Sequence, residues 1–230
     1  MACHDSPELV DFYLLASSGP TLTADQAWII CVPTEKFDEV CAMFSREPLS
    51  QTFEPAEQIL PLVCSLLHAY PHLKMKGVRF SLFVAPSSEY FVSGFGPDKF
   101  ERSRFQVPYP KLEYFVQGMM DTQNWVGVQE LVDGMDLTEE WGEGWLDLDK
   151  PGEVEYAKSK NERILGSMSK FPEAIPTSLS EGPIDLRARW QRIVRGKERR
   201  IDILAPKGKY ITKYRKTGSQ DPRLKESRVC

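Results

Sequence analysis

The sequence predicts an α+β fold, a mixed or antiparallel sheet with packed helices and a C-terminal helix–β-hairpin module. Three observations carry that expectation. Ala27–Pro33 and Gly77–Ala85 have the apolar and alternating patterns of strands, and apolar residues at helical spacing recur between and after them. The third observation is that charge is sorted along the chain. Arg187 to Arg228 holds 15 Lys and Arg against 4 acids, a net of +11, while all 230 residues sum to −4. Residues 1–186 are left with −15, so a cationic C-terminal stretch follows an acidic body.

Asp11–Ser17 and Ala27–Pro33 are the first two expected strands, the second containing a continuous AWIICV run of the kind buried on both faces. Thr34 is placed to cap the helix that follows, in which Phe37, Val40, Cys41 and Phe44 form one apolar stripe. Pro55 to Tyr70 reads as a second helix with Ile59, Val63, Leu66, Leu67 and Tyr70 inward, ended by Pro71. Gly77–Ala85 alternates, with Val78, Phe80, Leu82 and Val84 on one face. After Pro86, Ser87 and Ser88, the run Glu89–Ser93 is expected to return as its hairpin partner. Phe105–Val107 reads as a short strand. Pro110 then opens a helix whose Leu112, Phe115, Val116, Met119 and Met120 share a face, and Trp125–Val128 reads as a strand.

From Asp133 to Glu155 there are nine acids against Lys150 alone, with four glycines, Trp141 and Trp145. This segment is expected to be an acidic surface loop pinned to the body by its tryptophans. A helix is expected over residues 153–169, around Ala157, Ile164, Leu165 and Met168. Three prolines and a Ser/Thr cluster mark residues 171–183 as a linker. Pro183–Arg195 forms a helix with Leu186, Trp190, Ile193 and Val194 as its apolar stripe, and Gly196 ends it. Ile201–Leu204 and Lys209–Tyr214 flank a Pro-Lys-Gly turn and are expected to pair as a hairpin. The organisation is thus an acidic body (1–170), a linker (171–183), a basic helix–hairpin module (184–216) and a polar, mobile tail (217–230).

Composition excludes several classes. Apolar residues at 41% and aromatics at 11% are too many for a globally disordered chain. No segment approaches the roughly 18 to 20 apolar residues that span a bilayer, and the N-terminal stretch lacks a basic region and a long apolar core. The expectation is a cytoplasmic or nuclear protein that is not secreted and has no membrane span. Five widely spaced cysteines without a C-x-x-C pair read as free thiols, with Cys31, Cys41 and Cys64 serving as small buried hydrophobes.

The candidate site is the cationic module. Arg187, Arg189, Arg192, Arg195, Lys197, Arg199, Arg200, Lys207, Lys209, Lys213, Arg215 and Lys216 are the expected polyanion contacts. Trp190, Tyr210 and Tyr214 are expected to stack on bases or to anchor the module. Expected partners are nucleic acid, RNA included, or an acidic protein surface, with self-association through residues 133–155 and 187–216 as a further contact. No catalytic residue, metal or cofactor is expected. Asp147, Asp149 and Gly152 match three positions of a calcium loop, but Pro151 and Lys158 occupy two of its ligand positions. Cys64, His68 and His72 have the spacing of ligands on one helix face, which Pro71 interrupts. The glycines around Phe95 and the Gly208-Lys209 pair lack the helix that a phosphate loop requires, and Asp98 with Glu101 has no diagnostic spacing. Two function classes follow: a non-enzymatic binding or assembly protein, or a small hydrolase or transferase acting on a phosphorylated substrate with its site built from distant segments.

Overall fold

In a computed structural model, which describes residues 13–17, 26–59, 66–78, 80–92, 94, 96–102, 106–168 and 182–204, the chain builds a five-stranded mixed sheet backed by helices. The sheet has the order β1 (Tyr13–Ser17), β2 (Gln26–Val32), β5 (Phe80–Pro86), β4 (His72–Met75), β3 (Phe53–Pro55). Only β2 and β5 run parallel; the other pairings are antiparallel. The α+β class is therefore correct, with the sheet mixed.

Side chains alternate between the two faces of a strand, and here both faces are covered. On one face Trp28, Ile30 and Val32 of β2 join Phe80, Leu82 and Val84 of β5 against α1 (Phe37–Phe44), through Phe37, Val40, Cys41 and Phe44. On the other, Ile29 and Cys31 join Ala85 in a larger core with the helices that follow. That double burial is why β2 reads as an unbroken apolar run. A hydroxyl latch ties the parallel pair at its C-terminal end: the Ser88 N–H donates to Thr34 Oγ1 (3.1 Å), and the Thr34 N–H donates to Ser87 Oγ (3.2 Å). Thr34 thus bonds across to the next strand's exit, and a 3-10 turn at Thr34–Lys36 leads into α1 without a side-chain cap.

Three expected elements on this side are corrected. The proposed helix at Pro55–Tyr70 is replaced, in its described parts, by β3 ending at Pro55, extended chain to residue 59 and a 3-10 turn at Leu67–Ala69. A short helix α2 (Leu49–Thr52) comes just before β3. The hairpin partner of β5 is β4, with Leu73 opposite Leu82 and Gly77 supplying a left-handed φ of 78° in the turn. Glu89, expected to start the return strand, instead ends a 3-10 turn at Ser87–Glu89. The third is the strand at Phe105–Val107: residues 106–107 are not in a strand, and a two-stranded ribbon forms instead between β6 (Phe100–Arg102) and β7 (Pro108–Pro110).

The helical layer begins with α3 (Leu112–Asp121), whose Phe115, Val116, Met119 and Met120 are buried as the spacing predicts. Trp125–Val128, read as a strand, is the first turn of α4 (Trp125–Met135). Asn124 caps it by accepting the Gly127 N–H at 3.1 Å, and the buried Val128, Leu131 and Val132 continue the helical period into the acidic segment. The acidic segment is likewise not a loop. Thr138 accepts the Trp141 N–H (3.2 Å) to start α5 (Glu139–Trp145), and Glu139 and Glu140 sit in its first turn, where the helix dipole favours carboxylates. Trp141 packs inward as expected, but Trp145 is 62% exposed. The 15-residue α6 (Val154–Met168) buries Ala157, Ile164 and Met168 and leaves Leu165 partly exposed.

Two helices complete the described chain. α7 (Leu186–Arg195) is capped by Asp185, whose carboxylate accepts the Ala188 N–H at 2.9 Å, and ends at Gly196. α8 (Lys197–Leu204) follows, so Ile201–Leu204 is helical and is not the first strand of a hairpin. The alternation of Ile201, Asp202 and Ile203 is too short to override the helix-forming Lys-Glu-Arg-Arg run before it. Lys209–Tyr214, the linker core and the tail lie outside the described residues. Among the described residues no helix is long and apolar enough to cross a membrane.

Two glycines test the packing of the helical layer. At Gly118 of α3 an added methyl group would overlap the Tyr90 carbonyl, whereas at Gly166 of α6 it would meet open space. Gly118→Ala should destabilise the fold by about 1–3 kcal/mol through overpacking. Gly166→Ala should stabilise it by up to about 1 kcal/mol through helix propensity. Urea unfolding of both variants checks the pair.

Candidate anion-binding surface on the terminal helices

Arg187, Arg189, Arg192 and Arg195 take their positions from α7, which is fixed by three residues on one stripe, and Lys197, Arg199 and Arg200 follow on α8. Leu186, Trp190 and Ile193 are buried in the same core as Met119, Val128 and Leu131. Trp190 is 0% exposed, its ring 5.9 Å from that of Trp141, and it lies so close over Gly142 that a methyl group there would overlap the indole. Of its two expected roles the structure assigns it the anchor, since a ring without exposed surface cannot stack on a base.

The cations fall into two sets on either side of that stripe. Arg187 pairs with Glu143 and, at 2.9 Å, with Asp149. Arg195 grips Glu139 with two hydrogen bonds of 2.7 and 2.8 Å, and Lys197 meets Asp136. Arg200 donates to both carboxylate oxygens of Asp133 (3.2 and 2.6 Å) in the least exposed of these contacts, with side-chain exposures of 16% and 1%. The acidic segment and the basic helices therefore meet within one molecule. Asp136 reaches Lys197 from a left-handed C-cap (φ 56°) at the end of α4, a conformation that aspartate tolerates.

Arg189, Arg192 and Arg199 form the second set. Among the described residues none of them makes an ion pair. They face α4 across a groove of about 480 Å³, with Gln129 and the edge of Arg200 completing its walls. The Arg189 guanidinium lies 4.7 Å from the centroid of the Trp125 ring, and its Nε–H is buried with no acceptor in the described chain. Burial pushes the Arg189 guanidinium down from its ordinary value, and the like charge of Arg192 adds to the effect. Three guanidiniums converging without a carboxylate present a field that an external anion would neutralise.

Lys207, Lys209, Lys213, Arg215, Lys216, Tyr210 and Tyr214 lie outside the described residues. The sequence pattern missed Trp125 and Gln129, because Trp125–Val128 was assigned to a strand; the cap at Asn124 was the signal for a helix that turns both toward α7.

A second polar cluster was also missed, being assembled from distant segments. Glu89 accepts from the Tyr156 hydroxyl (2.9 Å) and Arg163 Nη1 (2.6 Å), and Arg163 Nη2 donates to the Tyr70 hydroxyl (2.9 Å). Burial first, then the Glu89 charge, pushes both tyrosine hydroxyls up, so they stay protonated as donors. The space among them is about 10 Å³, room for one water and no substrate. This network ties α6 to the end of the sheet. Among the described residues no three or more His, Cys, Asp or Glu are placed to hold a metal ion, and His72 sits on β4 with its ring stacked on Phe83 at 4.2 Å. Asp149 of the calcium-like pattern is committed to Arg187, and Cys64 lies outside the described residues. No protein-family model, curated protein or solved structure matches the chain.

The paired set makes two stability predictions. Arg200→Met removes a counter-ion of buried Asp133 and should cost more than Arg187→Gln, which at an exposed pair should cost about 0–1 kcal/mol. Chemical denaturation of the two variants distinguishes these magnitudes. The second prediction concerns pH. Hydrogen bonds from Arg195, with its charge, hold the Glu139 carboxyl below its ordinary value of 4.5. A lowered carboxyl pKa contributes stability above that ordinary value and loses it as pH falls through the lowered one. Arg195→Gln should therefore be less stable than the parent at neutral pH and indistinguishable from it in strong acid, read from urea midpoints across an acid series.

Proposed function

We propose that this is a non-enzymatic binding protein that holds nucleic acid on the face formed by α7 and α8, with Arg189, Arg192 and Arg199 as the primary phosphate contacts. One observation carries the reading. Acids of the same chain neutralise Arg187, Arg195, Lys197 and Arg200, while Arg189, Arg192 and Arg199 line one groove that, among the described residues, has no acid in its walls. Positive charge kept only for solubility would be dispersed, whereas on the described part of these two helices the uncompensated guanidiniums share one groove.

Two further features favour a polymeric anion. All three groups are guanidiniums, whose planar fork matches the oxygens of a phosphodiester. The sequence then adds five more cations and no acid over residues 205–216, which suits a ligand whose charge repeats along a chain. The four paired cations have a different role in this reading. They seat the helix pair on the body, so their removal should affect stability more than affinity.

The test is a salt titration with labelled RNA and DNA, comparing Arg192→Gln/Arg199→Gln with Arg187→Gln/Lys197→Gln. Each phosphate contact contributes about 0.7 to the slope of log affinity against log salt on a single strand and about 0.9 on a duplex. The first double variant should lower the slope by roughly 1.4–1.8 and weaken binding; the second should leave the slope close to that of the parent. Equal effects of the two, or no binding by the parent, would refute the assignment.

A further inference from the structure

We infer, resting on the reading above, that the groove is selective for single-stranded nucleic acid, with an unpaired base stacked on the Trp125–Arg189 pair and its flanking phosphates held by Arg192 and Arg199. A face evolved for phosphates alone needs cations and nothing more. This one also has the partly buried indole of Trp125 beside it, one turn before the groove-lining Gln129 on α4, with the groove-lining Arg189 guanidinium 4.7 Å from its ring centroid. Tryptophan and arginine both present flat faces on which any base stacks. A nucleotide placed there supplies a ring for the stack and negative charge between Arg189 and Arg192. After burial, the like charge of Arg192 already contributes to holding the Arg189 guanidinium below its ordinary value.

Shape points the same way. The groove is an open recess of about 480 Å³, against whose wall an unpaired base has room to lie. A duplex turns its bases inward and offers a convex backbone, so it can reach the guanidiniums but cannot place a ring on Trp125. An unpaired base can be splayed into such a recess. Trp190, the aromatic of the basic helix α7, is fully buried and unavailable for this role.

The experiment compares a short single strand, a strand of equal length lacking its bases, and a hairpin duplex of equal phosphate count, all on the intact protein. The single strand should bind tightest and quench tryptophan fluorescence, and the base-free strand should bind like the duplex. Trp125→Leu should lower single-strand affinity by roughly 5- to 150-fold, abolish the quench and leave duplex affinity unchanged; Trp125→Phe, which keeps a ring, should retain the preference. Equal affinity of the parent for all three probes, with Arg192→Gln/Arg199→Gln still weakening each, would overturn the stacking platform while the anion-binding face stood. Binding of none of the three would remove both.

Discussion

The seating of Trp190 over Gly142 is the contact on which the arrangement of charge depends. The indole fills the space between α5 and α7 only because residue 142 has no side chain, and with Leu186 and Ile193 it sets the rotation of α7 about its own axis. That rotation decides the fate of every arginine on the helix. Positions 187 and 195 turn toward the carboxylates of α5, and positions 189 and 192 turn toward α4, where they meet an indole and an amide. A rotation of one residue, about 100°, would turn arginines of one set or the other into the core. The functional reading therefore rests on a packing contact made by residues with no charge at all.

What the sequence made legible follows from where its patterns are self-contained. α3 and α7 were visible because each shows a complete apolar stripe within ten residues. β2 and β5 were visible as apolar or alternating runs, but their pairing was not. Nothing local to Phe80–Pro86 says that one neighbour is the distant Gln26–Val32 strand, and the nearest β-forming run, Glu89–Ser93, offered a plausible wrong partner. α4 was lost because its first turn, Trp-Val-Gly-Val, is rich in β-formers and its period emerges only when the window extends across Asp133. Composition misled at α5 as well: glycines and acids suggest a loop, while the Thr138 cap and two acids in the first turn are helix signals that outweigh it.

The candidate site was legible as a region and not as a site. Net charge identifies a cationic stretch, but seven cations on two helices look alike until the acids that face them are known. Asp133 shows why. In the sequence it begins an acidic run and suggests solvent; in the fold it is 1% exposed beneath Arg200, an arginine that charge counting would assign to a ligand. Burial turned a presumed surface acid into part of the scaffold, and in doing so took Arg200 out of the free positive charge of the two described helices. The Tyr70–Glu89–Tyr156–Arg163 network was hidden for the same reason, its members being brought together by tertiary contacts alone.

The parallel pairing of β2 with β5 also bears on how the chain is born. Between the two strands lie α1, α2, β3 and β4, so the central ladder closes a loop of nearly fifty residues and cannot begin to form until Phe80–Pro86 has left the ribosome. At about 5–20 residues per second, the AWIICV segment spends several seconds as an apolar strand without its principal neighbour. Of the described strands, the antiparallel β1 is already synthesised and can shield it, and it covers a single edge. Until Phe80–Pro86 emerges, the other edge of β2 lacks its sheet neighbour, a natural point for chaperone engagement and the stage at which misassociation of growing chains would begin.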